Sequence, residues 1–227
     1  QFPEVYGFVE SELRDDELPG IVAGFARAAE NARAAGFDGV EVHGANGYLL
    51  DEFLRDGSNK RSGPYGGPRE HRARLLFEVI EAVCKVWGSG RVGVRLSPLN
   101  SYNDMVDSDP VGLIEWLAGC LNDYRLAYLH LMRGDFFGQQ HGDVVTPVRA
   151  AYRGVLIGNM GYSADEASTA IAAGQLDAVA FGTAFLANPD LPERIRRKAA
   201  LNAPDPATFY TPGPRGYTDY PTLAQSA

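Results

Sequence analysis

The chain has 227 residues, 45% of them hydrophobic and 22% charged, with a formal net charge of -8 at pH 7. Its length fits one large α/β domain better than two small ones, and the acidic balance offers no basic stripe for nucleic acid. No apolar run approaches the roughly 20 residues of a membrane span.

The N-terminal stretch, residues 1–16, lacks both a basic n-region and an apolar h-region, so it does not read as a signal peptide. It also lacks an initiator Met, so the chain is expected to begin part-way through a longer gene product. Cys84 and Cys120 sit in helix-like apolar patterns without a CxxC neighbour. They support neither a disulfide framework nor zinc, and point to a reducing, cytoplasmic setting.

In chain order, helices and strands alternate. Asp16 to Gly36 is Ala-rich, with Ile21, Phe25, Ala28 and Ala32 at helical spacing and Gly36 placed to end the helix. Val40 to Gly44 follows as a short strand, and Asp51 to Pro68 is a polar Gly/Pro-rich excursion. His71 to Gly88 predicts an amphipathic helix, Arg91 to Pro98 a strand and Val111 to Leu121 a helix. Ala127 to Met132 is a strand, Val144 to Tyr152 a weak helix and Val155 to Met160 a strand. Ser163 opens the next helix with Glu166 three residues on, a capping box. Ala178 to Leu186 reads as a last strand running into a turn, Asn188 to Leu201 as a closing helix, and the rest as an extended tail.

Five βα units in a row imply a parallel sheet with right-handed crossovers. No GxGxxG follows a strand, which removes the main signal of a dinucleotide-binding open sheet. In the strands, Val40, Val42, Val92 and Val94 can face the helices, turning Glu41, His43, Gly93 and Arg95 inward. That favours a TIM (β/α)8 barrel, of which this single-domain chain, residues 1–227, supplies about the last five strands. Inward Glu41 needs a partner, and Arg95 is the expected one.

Barrel chemistry gathers at the C-terminal ends of strands, where His43, Ser97, Met132, Asn159 and Gly182 fall. The last two strand ends are Gly-rich, as phosphate-binding turns are, although glycines also simply make tight turns. His43, Asn46 and Tyr48 bring three polar groups into six residues. Taken alone, Tyr48 reads as an interfacial aromatic and His43 as a satisfied barrel histidine. The other histidines, His71, His130 and His141, give it no metal-ligand spacing, so no metal site is expected.

The segment FDGVEVHGANGYLLDEFLRDGSNKR, followed by YGG and an R-A-R helix, resembles the old yellow enzyme family of FMN-dependent ene-reductases on a (β/α)8 barrel. RVGVRLSP, IGNMGY, LDAVAFG, FLANPDL and GYTDYP are similar to that family's pattern in the same order, over nearly the whole chain. The resemblance implies that His43 and Asn46 hold the oxygen of a carbonyl or nitro group, stabilising developing negative charge as an oxyanion hole does. It implies that Tyr48 donates the proton and that Arg95 lies at the flavin pyrimidine edge, tuning its electronics. Gly158, Asn159, Gly161, Gly182 and Thr183 align with the phosphate turns.

Tyr210 matches a tail aromatic over the flavin, and Phe136 and Phe137 fall in the variable substrate loop. Asn59, Arg61, Tyr65 and Arg72 keep the family's loop pattern, whereas Gly63, Pro68 and His71 depart from it, and the tail run TPGPRG is altered. Two departures concern the phosphate: Thr183 replaces the usual Arg, and Met160 replaces the first of two glycines. A hydroxyl can bond phosphate, but it lacks the charge and fork of Arg.

The activity so implied is reduction of electron-poor alkenes with NAD(P)H, by a ping-pong scheme using FMN. A homodimer, and a barrel segment preceding Gln1, are further expectations. The alternatives are a non-catalytic or weakly flavin-binding barrel of the same fold, and a sugar-phosphate isomerase or aldolase barrel. The last of these predicts a catalytic Lys or Glu at a strand end, and none stands out.

Overall fold

The computed structural model describes residues 12–226, so most of the N-terminal stretch considered above for a signal peptide lies outside the described residues. Helix α1 (Leu18–Ala34) packs its sparse apolar stripe on α4 (Arg74–Trp87), where the Trp87 indole N–H donates to the Ala29 carbonyl at 2.9 Å. Gly36 ends α1 at φ +88°, a left-handed conformation that side chains disfavour. Strand β1 (Val40–Gly44) follows directly. The segment after it begins with a short helix, α2 (Leu49–Leu54), so the polar excursion starts later than expected.

The excursion is pinned as the sequence suggested. Asn59 Nδ2 donates to the carbonyls of Phe53 and Tyr65 at 2.7 and 2.8 Å, and the Arg72 guanidinium donates to those of Leu54 and Gly67, each at 2.7 Å. The predicted helix from His71 is two pieces, α3 (Arg69–Arg72) and α4, which bend at Ala73. Leu75, Leu76, Val79, Ile80 and Val83 make the buried stripe of α4, following the 3.6-residue period.

The remaining units are β2 (Val92–Leu96), α5 (Pro110–Leu121), β3 (Tyr128–Met132), α6 (Val145–Ala151), β4 (Leu156–Asn159), α7 (Ala164–Ala172) and β5 (Ala178–Ala180). Ser163 Oγ accepts from the Glu166 N–H at 3.2 Å, capping α7. The five strands form one parallel sheet in chain order, each paired with the next. Strand β5 is only three residues long, and the segment expected to continue as strand and turn folds instead into α8 (Thr183–Ala187). Helix α9 (Leu191–Arg197) is shorter than predicted because Lys198 turns left-handed at φ 53°. The tail ends in α10 (Leu223–Ser226).

The core lies between the outer sheet face and the helices, with Val42, Val92, Val94, Leu129, Leu131 and Leu156 buried against α4 and α5 residues such as Ile80, Ile114 and Leu117. At 25 cal/mol per Å² of apolar surface, this layer is the main source of stability. The opposite face of the sheet carries polar groups. Across it, the register aligns His43 with Arg95, Arg95 with His130 and His130 with Ile157 in one row.

One pairing differs from expectation. Glu41 accepts from the ring of His130 at 2.9 Å, and Arg95 donates instead to Asn159 Oδ1, also at 2.9 Å. The reason is the next row of the register. Tyr128 lies over Gly93, where an added Cβ would sit 2.2 Å from the ring, so no β2 side chain stands between Glu41 and the β3 side chains, and Glu41 reaches across β2 to His130. Burial works to raise the Glu41 pKa, but the hydrogen bond and charge of His130, with help from Tyr128 and Arg95, outweigh it and hold the carboxyl low. Desolvation, together with Glu41, pushes the Tyr128 phenol up to about 12.

Candidate active site

The turn after β1 is built by two constraints. Asn46 is left-handed at φ 59° and Gly47 at φ 69°. At Gly47 a Cβ would meet the Tyr102 carbonyl oxygen at 2.6 Å, so the turn requires glycine for both its conformation and its close approach. Asp51, one turn into α2, accepts from the Gly47 N–H at 3.0 Å and from Arg55 Nε at 2.8 Å. Asp51 and Arg55 are buried to 2% and 1% exposure. Burial pushes the Asp51 carboxyl up, against the pull of Arg55 and the Gly47 N–H. Arg55 also donates to the Ser97 carbonyl, and Ser97 Oγ accepts from the Asn46 N–H at 2.7 Å. The turn carrying Asn46 and Tyr48 is thus fastened to the end of β2.

That fastening fixes the orientation of the Asn46 side chain. The Phe136 N–H, which can only donate, reaches Asn100 Oδ1 at 3.2 Å. Asn100 must then present its Nδ2, which donates to Asn46 Oδ1 at 2.8 Å. The Asn46 Nδ2 is left as a donor, though Asn46, His43 and Tyr48 are not among the residues that line the adjoining cleft. His43 and Tyr48 lie beside Asn46 with ring centroids 5.5 Å apart, and Tyr48 is 55% exposed at the rim. Burial, and then the charge of Arg95, lower the His43 pKa, so at neutral pH the ring carries one N–H.

Adjoining this turn is a cleft of about 980 Å³, lined by Arg95, His130, Phe136, Asn159, Met160, Gly161, Gly182 and Thr183 among others. It brings together the inward row of the sheet and the ends of β4 and β5. Arg95 Nε and His130 Nε2 are buried without a hydrogen-bond partner among the described residues. Arg55 Nη1 and Arg61 Nε, away from the cleft, are the other two such atoms among the described residues. Asn159 bridges its walls, accepting from Arg95 and donating from Nδ2 to the Ala180 carbonyl at 2.8 Å.

Of the other predicted residues, Gly158 is buried under Leu176 and Tyr162 and has no room for a Cβ, a packing role behind the turn. Phe137 stacks on Tyr102 at 6.3 Å, outside the cleft lining, while Phe136 is part of it. Tyr210 stands apart at 98% exposure and lines no part of the cleft. His130, Asn100 and Asp51 were not singled out as site residues. His130 is inward by strand period and Asp51 pairs with Arg55 at i,i+4, both signals available in the sequence, whereas Asn100 acts through partners that local spacing does not reveal.

A parallel βα sheet in chain order, with polar groups at its carboxyl rim and glycines in the turns after its last two strands, is the arrangement of a segment of a (β/α)8 enzyme barrel. The chain belongs to the NADH:flavin oxidoreductase / NADH oxidase family, whose model matches residues 3–202. It is 52% identical over 215 residues to a probable flavin mononucleotide-dependent alkene reductase of Leishmania infantum, covering 95% of this chain and 59% of that protein. It is 43% identical to 12-oxophytodienoate reductase 2 of Arabidopsis thaliana, covering 95% of this chain and 59% of that one.

Among solved structures, the old yellow enzyme from Trypanosoma cruzi superposes with a TM-score of 0.93 at 50% identity, covering 95% of this chain and 58% of that one. Morphinone reductase superposes with a TM-score of 0.91 at 44% identity, covering 96% and 59%. The five βα units are therefore part of a (β/α)8 barrel, and the chain spans about three-fifths of the length of these relatives.

Proposed function

We propose that this chain forms the catalytic rim and much of the flavin cleft of an FMN-dependent oxidoreductase, which reduces activated C=C bonds with NAD(P)H. The observation that carries this reading is the placement of His43, Asn46 and Tyr48 next to a cleft lined by Arg95 and His130, each of which has a buried ring or guanidinium nitrogen without a partner among the described residues.

The residues present fit FMN. Arg95 and His130 supply unpaired polar atoms for the ring's polar edge, and the turns at Gly161, Gly182 and Thr183 supply backbone donors for the phosphate. FMN, when bound, provides the two-electron carrier between a nicotinamide and the alkene. Two preorganised donors, the His43 N–H and Asn46 Nδ2–H, hold the carbonyl or nitro oxygen of the substrate and stabilise the negative charge that grows on it. Tyr48 delivers the proton to the α-carbon from the rim. Arg95, held by Asn159, would supply a fixed positive charge to the bound flavin. A ping-pong order, with nicotinamide and alkene using one cleft in turn, belongs to the same proposal.

We further assign the two edge strands, β1 and β5, to pairing with additional barrel strands in the intact protein, since open parallel edges favour aggregation. Electron-poor alkenes are the small-molecule partners in this reading. A cytoplasmic location and a homodimer belong to the same proposal. Among the described residues, no helix is long and apolar enough to cross a membrane.

The test is the visible spectrum of the purified intact protein, with NAD(P)H oxidation measured against an enone. Flavin bands and parallel double-reciprocal lines are expected. A colourless protein that ignores added FMN overturns the reading. It would favour instead a weakly flavin-binding barrel, the reading that Thr183 and Met160 support.

A further inference from the structure

The turn after β4 carries an unusual backbone. Met160 and Gly161 are consecutive left-handed residues, at φ 79° and 70°. Glycine adopts such a conformation freely, but an L-residue with a long side chain does so only when its surroundings hold it there. What holds it is visible. Arg133, the first residue beyond β3, donates from Nε to the Met160 carbonyl at 2.9 Å and from one terminal nitrogen to the Gly161 carbonyl at 3.0 Å. Its own N–H donates to the Asn159 carbonyl at 3.1 Å.

The guanidinium is itself fixed from two sides. It pairs with both oxygens of Glu166 at 2.5 and 3.1 Å, and it lies 3.5 Å from the centre of the Tyr162 ring. The Arg133 hydrogen bonds hold the Glu166 carboxyl low, so the pair stays ionised at neutral pH.

We propose that Arg133 is a positioning residue for the cofactor's phosphate turn. By drawing two successive carbonyls to the far side, it keeps the peptide groups of this turn facing the cleft and replaces the conformational freedom that glycine would give at position 160. Glu166 neutralises the guanidinium, so Arg133 works through backbone geometry rather than through attraction for the phosphate. A forked donor is required, because a lysine ammonium on a flexible stem cannot span two carbonyls, Glu166 and a ring face together.

This proposal rests on the FMN reading, and its test separates the two. Binding of FMN and of riboflavin, which lacks the phosphate, is titrated on the intact apoprotein by flavin fluorescence for the parent, Arg133→Ala, Arg133→Lys and Arg133→Ala/Met160→Gly. Arg133→Ala and Arg133→Lys are expected to weaken FMN at least about tenfold, the scale of a lost charge-assisted contact, with riboflavin changed less than about twofold. Met160→Gly in the Ala background is expected to recover most of the FMN affinity.

Equal weakening of both flavins, or failure of glycine to rescue, overturns the proposal. If the parent binds neither flavin, the FMN reading falls, and thermal unfolding of the same variants decides the strap alone. Met160→Gly is then expected to raise the melting temperature of Arg133→Ala more than that of the parent, and additive shifts overturn the strap.

Discussion

Replacing Asp51 by Asn tests the fastening beneath the catalytic turn. The carboxylate and its partner Arg55 are buried to 2% and 1% exposure, so nearly all of the compensating charge for the guanidinium comes from one side chain. Asn has the same shape but no charge, and its amide nitrogen would face either the Gly47 N–H or Arg55 Nε, donor against donor. Breaking a buried pair in this way costs about 3–5 kcal/mol.

Urea unfolding of the intact protein, with Asp51→Leu/Arg55→Met as the paired control, measures the effect. The double variant leaves no lone buried charge and is expected to regain part of the stability, the remainder being lost because the Gly47 N–H and the Ser97 carbonyl no longer have their partners. It should not regain activity, because Gly47 no longer has its acceptor and Asn46 and Tyr48 lose their register. A loss below ~1 kcal/mol for Asp51→Asn would refute the reasoning, since that is the scale of an exposed pair.

Three further outcomes follow from the site. Tyr48→Phe should lower kcat for alkene reduction by about 10²–10⁴, the contribution of a positioned acid, while leaving flavin reduction by NAD(P)H unchanged, as rapid-mixing kinetics would show. Asn100→Leu should raise KM for the alkene by about tenfold or more, because Asn46 becomes free to turn its oxygen inward; FMN affinity measured in parallel should stay constant.

Asp135 gives a pH test. Burial works to raise it, but the Ser101 N–H and hydroxyl and the amides of Gln140 and Phe137 prevail and hold it well below the usual carboxylate range. A lowered folded pKa means that its stabilisation is present above the unfolded value of about 3.9 and is lost as pH falls from there toward the folded value. The stability gap between the protein and Asp135→Asn should therefore be flat from neutrality to about pH 5 and shrink below about pH 4, a trend opposite in sign from that of a group with a raised pKa.

Local periodicity made much of this protein legible in its sequence. Alternating apolar positions in β1 and β2 identified the inward residues, and helical stripes set the order of the βα units, because side-chain period is fixed by the backbone of each element. The H-x-x-N-x-Y spacing likewise carried its three groups to one turn, since six residues cannot separate far. The pairings were decided by the tertiary structure. Glu41 takes His130, 89 residues away, rather than the neighbouring Arg95, because Gly93 puts no side chain between Glu41 and β3. Asn100 and Arg133 gain their roles from carbonyls and amides supplied by distant segments, whereas Asp51 pairs locally and is tied to β2 through Arg55. Tyr210, assigned to the cleft by its place in the tail, stands in the open at 98% exposure. Sequence determines what each residue can donate, accept or bury, but the partner it meets depends on register and packing across the whole sheet.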